Sequence, residues 1–545
     1  MCGIIGSTNK LDAFVLEKLR HRGPDDSGLF EDQNIYLGHT RLSIIDVQHG
    51  SQPISNENGS IVMVYNGEIY NFIELREELK KKNVNFRTSS DSEVLLKMYE
   101  NYGLDQTLKK INGMFAFALF DKVQNKLYLV RDRVGIKPVF YCLKSGLSFC
   151  SELTPLRDLC GKENLTIDHE ALSIFFNTYY IPSPYTIWNE IRSLEPGHYV
   201  SYDFKKKISQ KTCYWQLQKF CRDWNDISSF EETFEDAVRI RMRSEVPYGA
   251  YLSGGIDSSL VVKYMSKYDD CVKTYTAEID DDFLNEKEYA TNVSNKFKTQ
   301  YNGMQISDKH VDIDLLFKLI NHFGQPFADS SIIPTYLISK AISEKVTVAL
   351  SGDGADELFA GYDKYTNHGI LSDRFFRNNN VDFLKHNFNS YNLLLKHLPY
   401  VPKDQKELLR LLDIRFFLEG DILQKVDRTS MANSLEVRTP FLDYRIIQMS
   451  QMLNSNTLFN VTKKKILKDL IRKNFGDSFV DRPKVGFMLD INKWTYRFNS
   501  YLTQFDFKKT RLFNDNFDIS KVNDGYLRFA FLMFVLWWKN EVANG

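Results

Sequence analysis

Cys2 stands directly behind the initiator methionine, in the stretch MCGIIG. If Met1 is removed, one residue carries both a thiol and a free α-amine, a nucleophile with a general base on its own backbone. The amine titrates near pH ~8 and the thiol near ~8.5, so proton exchange between them at neutral pH costs little. A chain that keeps Met1 lacks that base. Asn66 and Gly67 follow the apolar run Ile61–Tyr65, and a helix-like pattern begins after Asn71. That spacing predicts a strand-to-helix turn. A side-chain amide beside a backbone N–H there can stabilise an oxyanion, although Asn-Gly is also an ordinary turn pair. Arg41 precedes an apolar strand, and Asp91 precedes a predicted helix over 92–102 that ends at Gly103. Arginine pairs a carboxylate and aspartate an α-ammonium; the plain alternatives are a surface ion pair and a helix N-cap.

The second half carries a different chemistry. A strand-like run over Val246–Leu252 leads into SGGIDSS, Ser253–Ser259, and then into helical spacing over 260–265. A strand, a Ser/Gly loop and a helix N-terminus make an anion site of backbone N–H groups. No Gly-Lys-Ser/Thr is present, so this is not the loop that positions a γ-phosphate. The pattern repeats at Val346–Leu350, followed by SGDGADE, Ser351–Glu357. Clustered carboxylate oxygens suit Mg²⁺ bridging phosphates; acidic residues in a first helical turn equally serve as dipole caps.

The elements needed to hold these groups fit a large α/β protein. The chain has 545 residues, 43% apolar and 26% charged, enough for two to four domains. Seventy basic and seventy acidic residues cancel, so no global field attracts nucleic acid or an anionic membrane. No apolar run reaches the ~18–20 residues that span a bilayer, and signal-peptide features are missing. The other six cysteines, at 142, 150, 160, 213, 221 and 271, show no metal-ligand spacing. They are expected to be buried, reduced thiols in a cytoplasmic protein. Two strand–helix units with ligand loops after their strands predict a doubly wound parallel sheet.

MCGIIG, HRGPDDSG (21–28), RLSIID (41–46), YNGEIYN (65–71), the Asp91 segment and RDRVGIKP (131–138) occur in this order. Together they resemble the glutaminase domain of the class II glutamine amidotransferases, the N-terminal-nucleophile hydrolases. The resemblance implies an αββα sandwich over residues 1–205, a linker over 206–228 and a second domain over 229–545. It implies that Cys2 attacks the amide of glutamine and that Asn66 and Gly67 form the oxyanion hole. Arg41 would hold the α-carboxylate, Glu68 and Asp91 the α-amine, with Leu42, Ser43, Ile44 and Ile45 lining the pocket. SGGIDSS resembles the pyrophosphate loop of the ATP pyrophosphatases. Further matches at QPFADSS (325–331), KVDRTSMA (425–432), LEVRTPFLD (435–443) and RPKVGF (482–487) extend the likeness along nearly the whole chain, to the glutamine-hydrolysing asparagine synthetases. On that likeness Leu252, Ser253, Gly254, Gly255, Asp257, Ser258, Ala277, Ser351 and Gly352 bind ATP. Asp257 and Asp356 are the Mg²⁺ candidates, Lys484 stabilises departing pyrophosphate, and Asp353 and Glu357 position the acceptor and the attacking ammonia.

The substrates implied are glutamine, aspartate and ATP, with ammonia passing between domains through a tunnel of uncharged groups. A homodimer is compatible with the motifs. Asp353 stands where Glu is common in such enzymes, and Asp329–Ser331 is of a broader type. Two alternatives therefore stay open: the same chemistry on another carboxylate, such as a uronic acid of a surface-polysaccharide precursor, or a glutaminase whose second domain is not catalytic.

Overall fold

The strand Ile61–Ile69 divides its side chains between two cores. Ile61, Met63, Tyr65 and Ile69 pack with Leu75, Leu79, Val94 and Met98 of the helices Phe72–Lys80 and Asp91–Lys110. Val62 and Val64 point the other way, against Ile4, Leu37 and Phe149 of a second sheet. This is the period-two alternation of a strand covered on both faces. Its neighbour Gly113–Asp121 does the same, with Phe115, Phe117 and Leu119 toward the helices and Ala116, Ala118 and Phe120 between the sheets.

The computed structural model describes residues 2–543 except 13, 219–225, 280–285, 308–310, 366–374, 454–455, 462 and 482–490. Its amino-terminal part is two six-stranded antiparallel sheets. One runs Ile191–Ser193, Phe140–Cys142, Ser148–Cys150, Gly3–Ser7, Tyr36–Arg41, Asp26–Glu31. The other runs Ile208–Cys213, His198–Asp203, Lys126–Arg131, Gly113–Asp121, Ile61–Ile69, Ile54–Ser55. Helix Leu153–Cys160 packs on Phe140–Cys142 and Ser148–Cys150 at the outer face of the first sheet, completing the αββα order. The strand Ile208–Cys213, expected in the linker, pairs with His198–Asp203 and carries the sheet past 205.

The carboxy-terminal part is built on a five-stranded, wholly parallel sheet ordered Gln300–Ile306, Lys273–Ile279, Tyr248–Tyr251, Val348–Leu350, Glu436–Arg438. The chain winds outward from Tyr248–Tyr251 in one direction, then returns to add strands on its other side. The reversal falls between Tyr248–Tyr251 and Val348–Leu350, and such a switch point opens a crevice at the strands' carboxyl ends. Ile338 and Ile342 of the helix Ile332–Ser343 pack on one face, while Leu260 and Val261 of the helix Ile256–Met265 join the core on the other. The helix Gly525–Trp538 is apolar nearly all round because it is buried, its Phe531 and Phe534 packing on Phe176 and Phe513. Among the described residues no helix is long and apolar enough to cross a membrane.

Of the cysteines expected to be buried, Cys142 and Cys150 are; Cys160 is half-buried, Cys213 and Cys271 are exposed, and Cys221 lies outside the described residues. Cys213 ends the outermost strand of its sheet, and Cys271 lies in the turn between the helix Ile256–Met265 and the strand Lys273–Ile279.

Candidate active sites

Cys2 immediately precedes Gly3–Ser7, an interior strand of the first sheet, and is bonded across the sandwich to the second sheet. Its backbone N–H donates to Asn66 Oδ1 at 3.1 Å. Asn66 lies within the strand Ile61–Ile69, on the same alternation as Val62, Val64 and Glu68. The expected strand-to-helix turn is therefore corrected: Asn66 and Gly67 are strand residues, and the helix starts only at Phe72. With Oδ1 engaged, Asn66 Nδ2 is a buried donor without a partner, and a donor so placed can stabilise an oxyanion.

Burial pushes the Cys2 thiol up; the amino-terminal charge, the Leu42 backbone and Arg41 oppose this, and Glu436 adds to it. The pocket beside it is lined by Cys2, Arg41, Leu42, Ile44, Ile45, Gly67, Glu68, Asp91 and Glu436, among others. Ser43 is instead tied back by its N–H to Asp25 Oδ2 at 2.7 Å. Arg41 is buried rather than in a surface ion pair. It donates to the carbonyls of Ile45, Asp46 and Val47 at 3.2, 2.7 and 3.1 Å, neutral acceptors that leave its positive charge available.

Asp91 is not the N-cap; Ser90 is, accepting from the N–H of Glu93. The Asp91 carboxylate instead accepts from the Tyr65 hydroxyl at 2.7 Å and the Ile69 N–H at 3.0 Å. The helix begins at Asp91 and runs to Lys110, continuing past a kink at Gly103. Glu68 has one buried oxygen without a partner, and its other oxygen meets Arg438 Nη2 at 3.2 Å. Burial, then the charge of Asp91, holds the Glu68 carboxyl well above the usual carboxylate range; burial also raises Asp91. Two buried carboxyls this close are each reluctant to ionise beside the other.

In the second part, Leu252 follows the strand Tyr248–Tyr251, and Ser253–Gly255 forms the loop into the helix Ile256–Met265. Gly254 has φ +68°, and a Cβ there would meet the backbone of Ala290 at 2.6 Å. The loop closes on itself through Ser253 Oγ and Ser258 Oγ at 3.1 Å, with the Gly255 N–H donating to Ser253 Oγ at 3.2 Å. Leu252 and Thr276 are joined by a 2.6 Å bond from Thr276 Oγ1, which brings Ala277 beside the loop's entry. At the next strand, a Cβ on Gly352 would lie 2.9 Å from Asp257 Cβ, so the two Ser-Gly loops touch.

Asp257 and Asp356 converge on one cation position. Lys464 Nζ lies 2.5 Å from Asp257 Oδ2 and 2.7 Å from Asp356 Oδ1. Two hard carboxylate donors that share one ammonium fit a divalent ion bridging phosphates. Ser351 Oγ donates to Asp353 Oδ2 at 2.7 Å, and the Tyr362 hydroxyl to Glu357 Oε1 at 2.5 Å. Burial, then Asp356, pushes the Glu357 carboxyl up to about 7. Lys425 Nζ meets Asp329 Oδ2 at 2.8 Å, joining two of the matched segments. Lys484 lies outside the described residues.

The motifs of the sequence assign no role to Lys464, Glu436 or Arg438. LEVR belongs to a segment that the resemblance matches without a function, and Lys464 sits in an unremarkable run of three lysines.

The family described as glutamine amidotransferase domain matches residues 1–215, and the one described as asparagine synthase matches 229–507. Asparagine synthetase [glutamine-hydrolyzing] 1 of Bacillus subtilis is 32% identical over 558 residues, covering 91% of this chain and 88% of that protein. A Methanocaldococcus jannaschii protein provisionally named asparagine synthetase [glutamine-hydrolyzing] 2 is 37% identical, covering 67% of this chain and 76% of its own. Asparagine synthetase [glutamine-hydrolyzing] 3 of Bacillus subtilis is 30% identical, covering 82% and 80%. With both halves matched in order and a relative this similar along nearly its whole length, the chain belongs to the glutamine-hydrolysing asparagine synthetases.

Proposed function

We propose that this enzyme makes asparagine and glutamate from aspartate, glutamine and water, converting ATP to AMP and pyrophosphate. The observation that carries the reading is Cys2 bonded to Asn66 beside a pocket holding Arg41, Glu68 and Asp91, on the same chain as two Ser-Gly loops that meet at a sheet's switch point.

In the first half-reaction the Cys2 sulfur attacks the side-chain amide carbon of glutamine, its proton passing to the α-amine exposed when Met1 is lost. Asn66 Nδ2 and the Gly67 N–H receive the oxyanion. Arg41 pairs the α-carboxylate, while Glu68 and Asp91 take the α-ammonium. Ammonia leaves, and water hydrolyses the thioester to glutamate. In the second half-reaction the aspartate side-chain carboxylate attacks the α-phosphorus of ATP and displaces pyrophosphate. Ammonia, carried between the domains through an uncharged channel, then attacks the acyl carbon and displaces AMP.

Ser253, Gly254, Gly255 and Ser258 are assigned to the phosphates, and Leu252, Ala277, Ser351 and Gly352 to the adenosine. Asp257 and Asp356 would hold Mg²⁺, which when bound neutralises charge on the departing pyrophosphate. Asp353 is assigned to the acceptor. Glu357, with a carboxyl near 7, is matched to receive the proton that ammonia sheds. Lys484 is assigned to the α-phosphate. The setting proposed is cytoplasmic, where Cys2 stays reduced.

Pyrophosphate release with ATP, Mg²⁺ and ammonia, measured with each candidate carboxylate, tests the reading. Release with aspartate supports it. Release only with a uronic acid moves the acceptor to another carboxylate, and none with any acceptor leaves the second domain without the proposed activity.

A further inference from the structure

The pocket beside Cys2 is not made by the amidotransferase half alone. The edge strand Glu436–Arg438 of the parallel sheet inserts two buried charged side chains toward it. Residues 436 and 438 share one face by strand alternation, while Val437 turns into the core beneath the sheet. Glu436 lines the pocket together with Cys2, Glu68 and Asp91. Arg438 ties the two domains' carboxylates together: Nε meets Glu436 Oε1 at 2.6 Å and Nη2 meets Glu68 Oε2 at 3.2 Å. Its Nη1 donates to the carbonyls of Arg241 and Arg243 at 2.8 and 2.6 Å, which fixes the guanidinium plane. The strand itself is pinned by pairing of Glu436 with Val348 and of Arg438 with Leu350, and by the Ser351 N–H bonded to the Arg438 carbonyl at 2.9 Å.

We propose that Glu436 and Arg438 are positioning residues for glutamine hydrolysis, so that the glutamine pocket is a two-domain structure to which the synthetase half adds one carboxylate and one guanidinium. The proposal rests on the glutaminase reading of Cys2.

The charge balance carries the argument. On the ammonium side of the pocket stand three carboxyl groups, Glu68, Asp91 and Glu436, against one guanidinium, Arg438. Tyr65 and Tyr70 add only neutral hydroxyls there, and Arg241 lies over the Tyr70 ring at 4.3 Å. The amino terminus also acts on Glu68 and Glu436, and Lys137 on Glu436. Arg41 belongs to the other end of the pocket, on the carbonyls of residues 45–47. A zwitterionic amino acid thus meets opposite charge at each end. Arg438 holds Glu68 in place and favours its ionised form. Glu436 strengthens the field that holds an ammonium, and the same field raises the Cys2 thiol. A single residue therefore pulls two observables in opposite directions.

That opposition gives the test. Glu436→Gln in the full chain keeps the shape and an oxygen for Arg438 Nε but removes the charge. The expected result is a KM for glutamine raised by about tenfold, the weight of about one pKa unit of lost interaction. In the same variant, alkylation of Cys2 by iodoacetamide at pH 7 should quicken by about threefold, because the thiolate fraction rises. Glu436→Asp, which restores the charge, should return both values toward wild type. Arg438→Lys should keep glutamine binding closer to wild type than Arg438→Gln. The latter should lose more affinity at pH 6.5 than at pH 8.5, because Glu68 then protonates more readily. The proposal is overturned if Glu436→Gln leaves both readouts unchanged, if both worsen together with the melting temperature, or if Glu436→Asp is as impaired as Glu436→Gln. A wild-type protein that does not hydrolyse glutamine at all would instead overturn the glutaminase reading beneath it.

Discussion

Arg22 clasps Asp427 across the domain interface, Nη1 and Nη2 meeting the two carboxylate oxygens at 2.9 and 3.1 Å. Both side chains are buried, and the same guanidinium donates from Nε to the carbonyl of Cys2 at 3.1 Å and from Nη1 to Glu152 at 3.0 Å. The backbone of Cys2 is thus fixed by a residue whose ion-pair partner belongs to the synthetase half. The first prediction concerns this pair. Asp427→Asn removes the charge that compensates a buried guanidinium and should cost about 3–5 kcal/mol. Urea unfolding should show the loss, with glutaminase activity falling alongside it because Cys2 loses its anchor. An unchanged midpoint would mean that Glu152 alone balances Arg22.

Cys2→Ala should abolish glutamine-dependent synthesis while ammonia-dependent synthesis persists, and Asp257→Ala should impair both. The measurement is pyrophosphate release with each nitrogen source. Loss of the ammonia route in Cys2→Ala would contradict the division of labour between the halves.

Asn66→Ala removes the buried Nδ2 donor together with the acceptor for the Cys2 N–H. A missing oxyanion donor costs about 10²–10³ in kcat. Glutaminase kcat should fall by that order, with KM moving less, since the donor acts mainly on the transition state.

Lys464→Met withdraws the ammonium shared by Asp257 and Asp356. Two carboxylates left facing each other repel, so the melting temperature should drop without divalent ion. Added Mg²⁺ should raise it more in the variant than in wild type. Equal Mg²⁺ shifts in both would argue against a cation position between these two side chains.

The Glu357 carboxyl, raised to about 7, sets a pH dependence. A carboxyl that holds its proton more tightly folded than unfolded adds stability at low pH and loses it as pH climbs through its folded value. The contribution of Glu357 to stability should therefore decline between about pH 4.5 and 7. Glu357→Gln, which cannot ionise, should flatten that part of the profile in thermal melts taken across the range.

Much of this protein was legible in its sequence because the chemistry sits in short contiguous motifs. Cys2 behind Met1, Asn66-Gly67 and Asp91 are candidates by residue type, Glu68 joins them only through the resemblance, and the Ser-Gly loops stand out by the apolar strands before them. The parallel sheet followed from strand–loop–helix spacing, which is a local property, and the αββα order came from the resemblance that the ordered motifs carry. Local rules also set the limits. They read Asn66-Gly67 as a turn, whereas pairing with Gly113–Asp121 extends the strand through it. They offered Asp91 as a cap, whereas Tyr65 and Ile69 claim its carboxylate and Ser90 does the capping. The cross-domain contacts had no local signature at all. Arg22 and Asp427 are 405 positions apart, and Glu68 and Arg438 are 370 apart. Burying a guanidinium requires a carboxylate at hydrogen-bonding distance, and which carboxylate meets it is decided only when the two halves dock.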